Sequence, residues 1–141
     1  MKKTSLAGCA AFLLTLALVP CAAGGGEPMV MNPAKAEFKE VAPGVSKKVL
    51  WGDDTTGPYG AYTKFAPGVK NPLHTHSSEL RIVVLKGAYV FTPKGGKAHR
   101  VGPGEYVSMP AGMPHESGGD PKTGALFYEE SSGKFDLNPV Q

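Results

Sequence analysis

The amino-acid sequence predicts an all-β domain, and three observations carry that prediction. Nineteen glycines and thirteen prolines recur between short apolar runs of the 141-residue chain, a punctuation that suits many short strands and tight turns. Tyr59 to Phe65 sets Tyr59, Ala61 and Thr63 against Gly60, Tyr62 and Lys64, the period of a strand. Leu80-Arg81-Ile82-Val83-Val84-Leu85 is apolar and rich in β-branched residues, and Gly87 closes it as a buried strand should be closed. Helical periodicity, heptads and internal repeats are all missing from the pattern.

The elements follow in chain order. Lys2-Lys3, the apolar run Ala10 to Val19, the breaker Pro20 and the small residues Cys21-Ala22-Ala23 predict a secretory signal over 1–23. Leu6-Ala7-Gly8-Cys9 has the look of a lipoprotein box but leaves almost no hydrophobic segment ahead of its cysteine. An uncleaved anchor over Leu6 to Ala23 is the competing reading of that segment. Residues 24–36, rich in Gly, Pro and Met at their start, are expected to be a disordered tether, and 37–137 the folded domain. Within it, Phe38 to Val41 reads as an edge strand, Val45 to Trp51 as a strand, and Asp53 to Gly57 as a turn. Ala88 to Thr92 is the next strand after Gly87, and Lys94-Gly95-Gly96-Lys97 is a hairpin tip. Tyr106 to Met109, stopped by Pro110 and Gly112, and Ala125 to Glu130 complete a set of about eight or nine short antiparallel strands.

All four histidines fall in Gly68 to His115, and three of them carry the first functional expectation. His74 and His76 are two apart, so on an extended strand both imidazoles take one face, and His115 follows a distant strand. Convergence of the three needs a closed sheet. Imidazole is the commonest protein ligand for zinc, iron, copper and nickel, so a site for a divalent transition metal (Fe, Zn, Ni or Cu) is the first expectation. Singly, each histidine reads as well as a hydrogen-bonded core or loop residue. His99, between Ala98 and Arg100, reads as a surface histidine.

The spacing of these residues resembles the two motifs of the cupin superfamily. Gly68, five residues, His74-Thr75-His76 and then Gly87 match the first motif; Gly104, Pro110, Gly112 and His115 match the second, with Gly119 where an Asn would stand. The resemblance implies a jelly-roll barrel whose inner strand faces line a small cavity, with Ile82, Val84, Tyr62, Phe91, Met109 and Phe127 as candidate lining. It implies metal ligation by His74, His76 and His115. The first motif departs from the pattern at Leu80, which occupies the position of the Glu ligand; adjacent Glu79 would reach the metal only through a local bulge. Three neutral ligands would leave the ion's full charge to act on an anionic substrate. The parity of Arg81 pairs it with Glu79 on the opposite face.

Composition excludes some functions. Removal of 1–23 takes away both cysteines, hence any disulfide or thiolate nucleophile, and with Lys2 and Lys3 lowers the net charge from +3 to +1. Charges are interspersed, so no nucleic-acid partner is expected, and none in the membrane once the signal is cleaved. The expected setting is periplasmic or secreted, and the expected partner a small-molecule ligand or substrate; the resemblance adds a homodimer as an option. Three readings stay open: a metal-dependent enzyme, with dioxygenase-like activity on a small anionic substrate leading; a binding or sensing barrel with a structural metal; and a barrel without metal. Tyr62, Glu79, Glu116 and Tyr128 are the residues offered for acid or base work.

Overall fold

Eleven short strands form in the described part of the chain, residues 26–141 of the computed structural model. The expected signal segment and both cysteines therefore lie outside the described residues. The strands are β1 (Lys39–Ala42), β2 (Val45–Gly52), β3 (Tyr59–Phe65), β4 (Lys70–Thr75), β5 (Leu80–Gly87) and β6 (Tyr89–Pro93). They continue with β7 (His99–Val101), β8 (Tyr106–Met109), β9 (His115–Gly119), β10 (Ala125–Ser131) and β11 (Asn138–Pro139). A single 3-10 turn, Pro33–Lys35, stands within the stretch expected as tether, and the Tyr62 hydroxyl donates to the Met31 carbonyl just before it.

All pairings are antiparallel and build two sheets, ordered β1-β2-β3-β10-β5-β8 and β11-β4-β9-β6-β7. This is the all-β domain that the strand pattern predicted and the jelly roll that the cupin resemblance implied. Alternation is clean in β10, where Ala125, Phe127, Glu129 and Ser131 are buried and the residues between them are not. The core between the sheets holds Leu80, Ile82, Val84, Tyr89, Val101, Met109, Ala125 and Phe127. Each large apolar side chain buried this way stabilises the fold by about 1.5–3 kcal/mol.

Three strands were not expected: β7, β9 and β11. The second, His-Glu-Ser-Gly-Gly, has poor strand composition, yet packing explains it. A Cβ at Gly118 would collide with the Val69 carbonyl, so only glycine lets β9 lie this close to the chain entering β4. Gly87, at φ +72, closes β5 as expected and turns where a Cβ would strike the Gly124 carbonyl.

Of the six residues expected to line the cavity, four do not. Ile82 and Phe127 line the cavity, Val84 and Met109 are core, and Phe91 packs at the core's edge. Tyr62 faces the other way and meets Tyr128 edge-on, with centroids 6.3 Å apart. Its neighbours Ala61 and Thr63 are the inward residues of β3, which is the opposite parity.

Candidate metal centre

His74 ends up opposite His115 because β4 and β9 slip register between them. Asn71 pairs with Ser117, but His74 pairs with His115, so β4 carries an extra residue in that interval. His76 lies just beyond β4 with its ring 4.9 Å from His74 and 5.3 Å from His115, centroid to centroid; His74 and His115 are 4.4 Å apart. All three are buried, at 1%, 7% and 0% exposure, and each offers one nitrogen within 4.8 Å of the others.

Backbone carbonyls set the tautomers. Nδ1 of His74 lies 2.6 Å from the Pro72 carbonyl, Nδ1 of His76 lies 2.5 Å from that of Asp136, and Nδ1 of His115 lies 3.0 Å from that of Met113. A carbonyl only accepts, so each Nδ1 carries the hydrogen and each Nε2 presents a lone pair. Nε2 of His115 is fully buried with no hydrogen-bond partner among the described residues. Such an orphan costs about 1–3 kcal/mol, and a metal ion would satisfy it. Burial lowers the pKa of His74 to about 4 against the opposing pull of the Pro72 carbonyl, and its histidine neighbours lower it further. His76 is lowered too, again chiefly by burial. Neutral rings with converging lone pairs are what a divalent transition metal requires, and small ring rotations would give bonds of about 2.0–2.2 Å. The donor set fits the ion.

A pH dependence follows for the metal-free protein. The folded pKa of His74 lies below the free value, so its contribution is present above about pH 6.5 and is lost as pH falls toward 4. From His74 alone the expected loss by pH 4 is about 3 kcal/mol. Urea unfolding at pH 7, 5.5 and 4 measures it, and a stability flat across that interval would contradict the neutral buried imidazole.

Glu79 is not part of this cluster. Register is unbroken from Leu80 to Val83 against both β8 and β10, so no bulge turns Glu79 inward. Leu80, 4% exposed, lines the same cavity as His74 and His76. Glu79 instead accepts from Arg81 Nη2 at 2.8 Å and from the Ser108 hydroxyl at 2.6 Å on the other face, and these partners hold its carboxyl below the usual range. The other acid–base candidates lie elsewhere as well. Tyr128 accepts from Trp51 and donates to Glu130, and Glu116 is exposed.

His74 and His76 open on a cavity of about 250 Å³ with mostly apolar walls. Two charged residues on its wall were absent from the sequence expectations. Lys47 and Glu129, 7% and 3% exposed, form an ion pair of 2.9 Å. Strand parity held the signal for Glu129, which is two residues from the expected lining residue Phe127. A strap after β10 completes the site. Phe135 tilts against the His76 ring at 5.5 Å and carries the Lys47 ammonium 4.0 Å above its own ring. The strap is anchored by Phe135 N–H to Asp54 carbonyl (2.8 Å), by Ser77 N–H to Asp136 carboxylate (2.8 Å), and by the pairing of β11 with β4.

Comparison with known proteins agrees with this fold. A segment is 38% identical over 56 residues to dimethylsulfoniopropionate lyase DddQ of Ruegeria pomeroyi; it covers 39% of this chain and only 28% of that protein. The crystal structure of the same lyase superposes with a TM-score of 0.58 at 22% identity, over 76% of this chain and 61% of that one. Polyketide cyclase RemF of Streptomyces resistomycificus gives 0.67 at 21% identity, over 82% and 87%. KdgF of Halomonas sp. gives 0.60 at 18%, over 75% and 94%. At these identities the likenesses establish the fold. The model of the ChrR cupin-like domain matches residues 26–132, and the chain therefore belongs to that family of the cupin superfamily.

Proposed function

We propose that the chain binds a divalent transition metal through Nε2 of His74, His76 and His115 and uses it to turn over a small anionic substrate inside the barrel. The observation that carries this reading is the set of three carbonyl-fixed tautomers, with one orphaned Nε2 buried at their meeting point. A dication held by three neutral ligands supplies Lewis acidity and open coordination positions. The chain's own residues do the rest: carbonyls of Pro72, Met113 and Asp136 orient the rings, and Leu80, Ile82 and Phe127 keep the cavity apolar. Lyase and cyclase activities, those of DddQ and RemF, and the oxygenase class all suit such a centre. With a signal over 1–23, the setting would be the periplasm or the cell exterior.

The test is thermal unfolding of chelator-stripped protein with Fe(II), Zn(II), Ni(II) or Cu(II) added. At a free metal concentration a thousandfold above Kd the expected stabilisation is about 4 kcal/mol. A melting curve that none of the four ions moves would overturn the reading. Elemental analysis of protein from its native compartment then names the ion.

A further inference from the structure

The inward face of β10 reads Ala125, Phe127, Glu129, Ser131. A carboxylate in such a row is costly unless it is partnered, and Glu129 is partnered with care. It accepts from Lys47 at 2.9 Å and from the Tyr59 hydroxyl at 3.1 Å, and both donors use Oε1. Oε2 is thereby left for the cavity that Glu129 lines together with His74 and His76. The two groups come from opposite sheets: β10 carries Glu129, while β4 and β9 carry His74 and His115. Lys47 is held in turn by Asp54 at 3.2 Å and by the faces of Phe135 and Tyr59 at 4.0 and 4.9 Å.

A buried ionic cluster of this kind rarely stabilises a fold more than apolar side chains of the same volume would. Its electrostatics instead suit one task. Lys47 with Asp54 and Glu129 carries one net negative charge. A proton placed on Glu129 leaves Lys47 and Asp54 as a neutral pair. Burial and the Glu129 charge raise the Tyr59 pKa, so Tyr59 keeps its hydrogen and remains a donor to Oε1. The hydroxyl of Thr63, also buried and lining this cavity, has no partner among the described residues and is free to meet a polar group of a ligand.

We propose that Glu129 is the catalytic proton acceptor of this site. A small weak acid with an apolar body enters the cavity, its acidic O–H bond breaks, the electron pair stays on the oxygen, and the proton passes to Oε2. Lys47 and Tyr59 are positioning residues that hold the carboxylate for this transfer. The proposal rests on the metal reading above, since the conjugate base needs a cation to face.

Acetohydroxamic acid, a small chelating acid, is the probe. It is titrated calorimetrically into zinc-loaded protein in two buffers of equal pH and different ionisation enthalpy, which counts protons released to the medium. The wild type is expected to release almost none, because Glu129 keeps the proton. Glu129→Gln is expected to release about one per ligand bound and to bind roughly tenfold more weakly. Equal release by both proteins, or no binding of hydroxamate to the zinc-loaded wild type, overturns the proposal. Titration of zinc alone reads the metal centre separately, so its failure is told apart from that of Glu129. Should Glu129→Gln not fold, the double variant Lys47→Met/Glu129→Leu removes the pair together and carries the same expected release.

Discussion

Replacing His115 with leucine is expected to leave the metal-free protein within about 1 kcal/mol of its parent while abolishing the stabilisation that an added metal confers. The substitution is nearly isosteric at a position with 0% exposure. It removes the orphaned Nε2, which favours the variant, and strands the Met113 carbonyl that Nδ1 had paired, which opposes it. These two polar terms are of similar size, so they offset. The loaded protein has no such compensation. With two imidazoles in place of three, a metal-induced shift of about 4 kcal/mol should vanish at the same metal concentration. Thermal melts of both proteins, stripped and loaded, measure the effect. A shift that survives in His115→Leu would show that this ring is no ligand.

The second large effect concerns Leu80. Leu80→Glu should destabilise the stripped protein by several kcal/mol, because a carboxylate replaces an apolar side chain at 4% exposure. In the loaded protein the same carboxylate gains the ion as partner. It should tighten metal binding by roughly tenfold or more, since an anionic oxygen cancels one unit of the ion's charge. For an enzyme acting on anions the gain comes with a loss, because one coordination position and part of the attracting charge disappear. The crossover between stripped and loaded stabilities is the diagnostic. Equal destabilisation of both forms, with unchanged metal affinity, would place residue 80 away from the ion.

Much of this was legible in the sequence, for identifiable reasons. The strands β3, β5 and β8 announce themselves through alternation, β-branched runs and Gly or Pro stops, because each is bounded by turn chemistry written in the local sequence. The outward placement of Glu79 and inward placement of Leu80 follow from strand parity alone, and the unbroken register on both sides of β5 keeps that parity. Parity was also available for Glu129 through Phe127, but a Glu-Glu pair after Phe-Tyr reads as the polar end of a strand, and only its partners reveal that one of the two is buried. Lys47 is harder. Its ammonium is held by Asp54 and Glu129, so nothing near it in sequence explains its burial. The strand β9 is legible only in three dimensions, since Gly118 is there to admit Val69, in the chain entering β4.

The strap that crosses the histidines also orders events in time. Asp136 supplies the carbonyl for His76 from 60 residues away. A contact of such separation pays its loop-closure entropy before it returns any energy, and it costs least once β4, which leads into His76, is already paired with β9. His74 and His76 alone are local to one another. An ion that arrives before β9 and the strap have docked meets two imidazoles, of which His76 still lacks the carbonyl that fixes its tautomer, and that is a poor site. The core of Ile82, Val84, Tyr89 and Phe127 assembles without reference to any ligand. The apolar barrel is accordingly the template and the histidine cluster its late product, the reverse of those small domains in which the ion nucleates the chain around itself.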